Sequence, residues 1–378
     1  MKTLLSLYRI TTLAYALLLC RIVPAHAQQE PSWSFVSVPD FLNVDVDHPE
    51  PKWDDAIDFT LACIKGENPE FVLVAGDMVM GRWWRSREQI EYMADIYYTA
   101  WKSRMDKFGL KYYVAVGDHE LGDNPWLPQG KKEKRGLTWD CAPLEFLPYY
   151  EEAFVKHFDM PRNGPKGKEG MAYFVKHENI LVVTVDVFDK DLIAEHGEAD
   201  VSADQIAWLD SLLDAHKNVP FKVVQGHTPV IGPVRKKNSS GIMLKDGAGS
   251  ALWKTMVKHG VDLYLCGEVH AITCLEKDGI MQISHGALFG YTEYANYLTV
   301  EVSSNELKLT LKEIPLQLAG RRLPQSAMNE PREYVRISQE DKYRGFRVAG
   351  KAVLKKEGRN KKFESKSGYF SASAVPVD

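Results

Sequence analysis

Cysteine is scarce, with five residues in 378 and no Cys-x-x-Cys pair. Dithiol redox centres and cysteine-ligated zinc sites use that spacing, so its absence argues against both. Neither sign of charge dominates. Lys and Arg number 47 against 51 Asp and Glu, a formal net of -4, which singles out no charged partner. There is no internal repeat, and no apolar run of membrane-spanning length follows residue 27.

The first 27 residues have a different texture. Lys2 opens a short positive region, Leu13–Leu19 is apolar, and Ala25-His26-Ala27 is a small-x-small site. That is the form of a cleavable export signal, and the apolar run is short for a bilayer span. The expectation is an exported chain, periplasmic or extracellular, with no transmembrane segment after processing. Leu19 stands before Cys20 where a lipid-attachment site takes a small residue. Beyond the signal lie Cys63, Cys141, Cys266 and Cys274. An oxidising compartment permits disulfides without requiring them. Cys266 and Cys274 flank a turn-and-strand segment and are candidates for a pair.

Hydrophobic residues make up 45% of the chain, enough for a sizeable core. Residues 33–38 read as a strand. Trp53, Ala56, Ile57, Leu61 and Ile64 recur at helical spacing over 52–65. Phe71–Ala75 reads as a buried strand, 86–107 as a longer helix and Lys111–Val116 as the next strand. Alternating strand and helix predict an α/β sandwich. The stretch 121–170, rich in Pro and Gly, interrupts this rhythm and reads as a long loop with short helices near 150–158. Strands follow at 171–176, 180–188, 221–225, 261–266, 271–275, 280–284, 299–302 and 306–313. Helices are expected at 203–216 and 250–259. The later strands predict a mixed sheet. After about 320 the texture changes again, with ten Lys or Arg against two Glu over 342–366. The expected division is a signal at 1–27, a main domain at 28–320 and a basic extension at 321–378, read as a small β appendage dispensable for chemistry. Specific nucleic-acid recognition is not expected of that charge run.

Five short sites end hydrophobic runs on acids or histidines. They read Ser-Val-Pro-Asp40, Ala-Gly-Asp77, Val-Gly-Asp118-His119-Glu120, Gln-Gly-His227 and Cys-Gly-Glu268-Val-His270. Four carry a Gly just before the polar group, which lets the backbone turn sharply and leaves room beside the next side chain. A lone Gly-Asp is a common turn. The ordered set, each member following a strand, collects ligands along a sheet edge, as a hydrolytic metal centre needs.

On these residues the chain resembles the calcineurin-like metallophosphoesterase superfamily. The pattern there runs Asp-x-His, Gly-Asp, Gly-Asn-His-Glu, Gly-His, then Gly-His-x-His. Gln205-x-x-Trp208-Leu209 adds to the likeness, which spans about 33–313. The resemblance implies a four-layer sandwich, two mixed β-sheets flanked by helices, with a two-metal centre at the strand ends. It implies Asp40, Asp77 and His270 around one metal, and Asp77, Asp118, His227 and Glu268 around the other. His119 would protonate the leaving oxygen or stabilise the transition state, and neighbouring Asp118 would favour its imidazolium form.

Three departures stand out. Leu42 occupies the place of a histidine ligand, Asp118 that of asparagine, and Glu268 that of histidine. Asn43 or Asp45 are candidate substitute ligands for the imidazole missing at Leu42. Carboxylate-rich coordination shifts the expectation toward Mn²⁺ or Mg²⁺, and Fe and Zn remain open, with one or two divalent or trivalent ions. Trp84 and Arg85 are candidate substrate contacts, through stacking and phosphate pairing. Two functions are open: hydrolysis of a small-molecule phosphate ester, with a slight lean to diesters, or a catalytically weak or inactive metal-binding protein of the same fold that takes an anionic or phosphorylated ligand. Asp186 and His196 lie outside the pattern, and the sequence leaves the oligomeric state open.

Overall fold

Two mixed β-sheets lie face to face in a computed structural model that describes residues 32–42, 46, 50–79, 81, 83, 86–123, 144–237, 239–287, 292–322, 332–357 and 360–371. Residues 1–27, Cys141, Asn43, Asp45, Trp84 and Arg85 lie outside the described residues.

In chain order the first half runs β1 (Trp33–Ser37), α1 (Pro51–Gly66), β2 (Val72–Val74), α2 (Arg87–Lys107), β3 (Tyr112–Val114) and α3 (Leu147–His157). β4 (Tyr173–His177), β5 (Ile180–Thr184), α4 (Lys190–His196), α5 (Ala203–Ala215), β6 (Phe221–Gln225), α6 (Ala251–Lys258) and β7 (Leu263–Cys266) follow. The remainder is β8 (Thr273–Lys277), β9 (Ile280–Ser284), β10 (Tyr294–Val302), β11 (Glu306–Pro315), β12 (Gln317–Arg322), β13 (Arg332–Arg336), α7 (Gln339–Arg344), β14 (Arg347–Glu357) and β15 (Asn360–Gly368).

One sheet has the order β15-β14-β11-β10-β1-β2-β3 and the other β4-β5-β6-β7-β9-β8. β1, β2 and β3 are mutually parallel, as are β5, β6, β7 and β9. Period-two alternation explains the layering. In β1 and β2, Phe35 and Leu73 enter one apolar cluster together with Val182, Val223 and Leu265 of the second sheet. Their neighbours Val36, Val72 and Val74 enter another, shared with Trp53 and Leu61 of α1 and Tyr98 and Trp101 of α2. One face of each strand therefore meets the opposite sheet and the other meets helices. Full burial of a Val, Leu or Phe side chain contributes roughly 1.5–3 kcal/mol.

The expected boundary near 320 falls inside β12. β14 and β15 extend the same sheet as β1, pairing through β11. Leu354 and Phe363 enter the core between the sheets while Lys351, Lys355 and Lys362 face outward or the rim. The basic texture of this stretch is that of an edge hairpin, where lysines discourage further strand pairing. Lys356 Nζ lies 2.7 Å and Lys361 Nζ 3.4 Å from the carboxylate of Asp262, which has no exposure.

The suggested Cys266–Cys274 pair does not form. Both thiols are free. β9 runs between β7 and β8, and Cys266 and Cys274 each face it, opposite Ser284 and Ile283. α4 and the β12–β13 hairpin were not anticipated; α4 has seven residues, too few to display a helical period.

Candidate metal centre

Parallel neighbours in each sheet bring their C-terminal ends to one edge, where ligands of open α/β sheets gather. Asp40 follows β1, Asp77 follows β2, Asp118 follows β3, His227 follows β6, and Glu268 and His270 follow β7. The structure sorts these six residues into two overlapping groups. One ligand atom each from Asp77, Asp118, His227 and Glu268 all lie within 4.8 Å of one another, and so do those of Asp40, Asp77 and His270. Asp77 belongs to both groups.

The backbone at these positions is unusual. Asp40 (φ 57°), Asp77 (φ 59°), Glu268 (φ 66°) and His270 (φ 53°) all adopt the left-handed region, which costs a non-glycine residue free energy and concentrates at functional sites. The glycines in the motifs make room for side chains of other loops. A Cβ on Gly117 would stand 2.3 Å from Asp77 Oδ1, and one on Gly267 would stand 2.7 Å from Asp40 Oδ2.

Hydrogen bonds then fix these side chains. His227 Nδ1 lies 2.7 Å from the carbonyl of Ala75 and must donate to it. That fixes the neutral tautomer with its Nε2 lone pair toward the site, the usual arrangement of a metal-binding imidazole. His270 Nδ1 donates likewise to the carbonyl of Lys237 at 3.1 Å. The Glu268 amide donates to Asp40 Oδ1 at 3.1 Å, tying the two sheets together. Glu120 accepts from the amides of Gly117 and Asp77 at 2.8 Å each through Oε2, and from Met78 at 2.7 Å and Val79 at 3.2 Å through Oε1.

The electrostatics call for cations. Asp40, Asp77, Asp118 and Glu268 are all buried. Burial drives the Asp40 and Asp118 carboxyls well above the usual carboxylate range, with neighbouring Asp77 adding to it. Burial also opposes ionisation of Asp77, but the facing imidazoles of His227 and His119 outweigh it and hold its pKa low. Burial opposes a charged His227, yet Asp77, Asp118 and Glu268 hold its pKa well above normal. His227 Nε2 lies 3.4, 3.2 and 3.4 Å from oxygens of Asp77, Asp118 and Glu268 without making a good hydrogen bond to any of them. Asp40 Oδ2 is buried without a hydrogen-bond partner among the described residues. Unsatisfied buried acceptors around a shared carboxylate fit one or two divalent ions, which would neutralise the charge that folding has collected.

His119 sits at the rim, its side chain 14% exposed. Its Nε2 is 3.8 Å from Asp77 Oδ2 and 3.9 Å from Asp123 Oδ1. Asp123 was missed in the sequence. It is buried at φ 62° and joins Asp118 and His119 in a third close group. Its signal was the short spacing in Asp118-His119-Glu120-Leu121-Gly122-Asp123. Ser239 and Ser240, which hold Glu268, were also missed. Leu42, in the place of a ligand, is 2% exposed and packs in the core with the helices.

Trp83 is fully buried and packs 5.2 Å from the ring of Tyr97. Asp186 lies outside both ligand groups and pairs with Lys168 Nζ at 2.8 Å. His196 lies 3.6 Å from Asp200. Among the described residues no helix is long and apolar enough to cross a membrane.

A dimetal phosphatase from Danio rerio is 13% identical, with 74% of this chain and 95% of that chain covered and a TM-score of 0.49. GAP50, the anchor in the inner membrane complex of Plasmodium, is 15% identical, with 82% and 90% covered and a TM-score of 0.41. Likenesses at this level carry nothing about substrate. No curated protein matches the chain. The family profile described as calcineurin-like phosphoesterase matches residues 48–271, which takes in Asp77, Asp118, His227, Glu268 and His270. The chain belongs to the calcineurin-like phosphoesterase family.

Proposed function

We propose that the protein hydrolyses phosphate esters with one or two bound divalent metal ions, Mn²⁺ or Mg²⁺ by preference. The observation that carries this reading is the position of Asp77 in both groups of candidate ligands, because one carboxylate shared by two groups could serve two ions that act on the same phosphate. Bound ions supply Lewis acidity toward phosphate oxygens and toward the attacking water. Asp77, Asp118, His227 and Glu268 would hold one ion, and Asp40, Asp77 and His270 the other. The Ala75 and Lys237 carbonyls orient the two imidazoles, and Glu120 fixes the loop that presents Asp77. His119, at the rim and close to Asp77 and Asp123, is placed to hold a proton at Nε2 for the leaving oxygen.

Four carboxylates against two imidazoles make a centre more negative than a histidine-rich one. That disfavours a dianionic monoester and underlies the lean toward diesters. Matched aryl and bis-aryl phosphates assayed side by side test it, and a faster monoester overturns the lean. Export to the periplasm or outside belongs to the same proposal and rests on residues 1–27. N-terminal sequencing of the secreted protein should begin at Gln28, and recovery of an uncleaved chain in the cytosol contradicts it.

The buried Leu42 favours a second reading, a metal-binding protein with little or no turnover, because the Asp40–Asp77–His270 group shows three donors. Metal content and turnover measured on the same preparation separate the two. Metal without turnover supports the second reading.

A further inference from the structure

Glu268 stands where the related pattern has histidine, and its two oxygens have different surroundings. Oε1 accepts from Ser239 Oγ at 2.9 Å, Ser240 Oγ at 2.7 Å and the amide of Ile242 at 2.9 Å. A carboxylate oxygen has two lone pairs, so three donors saturate it. Oε2 is the oxygen turned to the site, 3.4 Å from His227 Nε2. Ser239 Oγ itself accepts from the amide of Gly241 at 2.8 Å. Its hydroxyl proton is therefore directed at Glu268, in a chain from amide to hydroxyl to carboxylate whose members polarise one another. Gly241 has φ +68°, a turn that favours glycine. Ser240 is solvent-exposed, yet its hydroxyl bonds to a buried carboxylate.

We infer that the Ser239–Ile242 loop is a cradle that makes Glu268 a one-oxygen metal ligand. Ser239 and Ser240 are positioning residues that act through Glu268, the part the Ala75 and Lys237 carbonyls play for the two imidazoles. The inference rests on the metal-binding reading above. A carboxylate pivots about its last torsion and can chelate with both oxygens; a saturated Oε1 removes that freedom and commits Oε2 to the ion. Partners of this kind typically alter metal affinity about 10–100-fold when lost.

The test is Mn²⁺ binding to the full chain, read as free Mn²⁺ by electron paramagnetic resonance. Wild type is compared with Ser239→Ala/Ser240→Ala, with Ser239→Thr/Ser240→Thr, and with the alanine pair in a Glu268→Ala background. The alanine pair should weaken binding about 10–100-fold, threonine should restore most of it, and the effect should vanish once Glu268 is gone. Melting of the metal-free proteins controls for folding. If the pair melts early, Ser240→Ala alone, an exposed position, carries the comparison. Wild-type affinity in the alanine variants overturns the cradle while leaving the metal centre standing. An equal loss with and without Glu268 also overturns it, since the serines would then act on something else. A wild type that takes up no Mn²⁺ overturns both the cradle and the proposed function.

Discussion

Glu120 holds Asp77 through the backbone rather than through its side chain: Oε2 of Glu120 accepts the Asp77 amide at 2.8 Å. The same oxygen takes Gly117, and Oε1 takes Met78 and Val79. One fully buried carboxylate thereby joins the loops after β2 and β3. Burial raises its pKa to about 7, with Asp77 contributing and the amide donors opposing the rise.

Glu120→Gln is expected to destabilise the protein. The new amide would turn N–H groups against backbone donors, and leaving those donors unsatisfied costs about 1–3 kcal/mol. Thermal melting should fall and metal affinity should drop with it. An unchanged melting temperature would show that these loops do not depend on Glu120.

Metal binding should release protons. Without metal, burial raises Asp40 and Asp118, and Asp77, Asp118 and Glu268 raise His227, so all three favour their protonated forms more than free side chains do. Ligands bind metal deprotonated, so affinity should climb as pH rises and fall as it drops. Calorimetry of Mn²⁺ binding in two buffers of different ionisation enthalpy counts the protons. Identical heats in both buffers would contradict the account.

Leu42→Ala should cost about 2–5 kcal/mol of stability as a buried large-to-small change, with metal stoichiometry intact. Loss of metal in a folded variant would place Leu42 at the centre rather than in the core.

Truncation after Gln317 now carries a different expectation from the one that composition suggested. It removes β14 and β15, takes Leu354 and Phe363 out of the core and bares β11. It also strips Lys356 and Lys361 from the buried Asp262, and breaking such pairs is strongly destabilising. The truncated chain should be insoluble or melt far lower. A soluble product with native stability would restore the view of a dispensable extension.

Most of the sheet, and the acids and histidines that gather at its edge, could be read in the sequence because both leave local marks. The buried strands are continuous apolar runs, and each candidate ligand follows one within a few residues. What could not be read depends on contacts between distant segments. Ser239 and Ser240 look like any polar turn until Glu268 is placed 28–29 residues away in sequence beside them. Asp123 gains meaning only from its distance to His119. The Cys266–Cys274 pairing failed because sequence proximity hid the strand between them. The basic C-terminal stretch reads as a small β appendage, but its composition does not show that it pairs into the main sheet through β11.

Metal-dependent phosphoester hydrolysis would rest above all on Asp77, which belongs to both groups of candidate ligands. The most direct measurement is hydrolysis of a bis-aryl phosphate by Mn²⁺-loaded protein beside an Asp77→Ala variant prepared identically. Wild type should show turnover that chelation abolishes and Mn²⁺ restores, with the variant at background. Turnover no higher in wild type than in Asp77→Ala, across a panel of metals and esters, would contradict it.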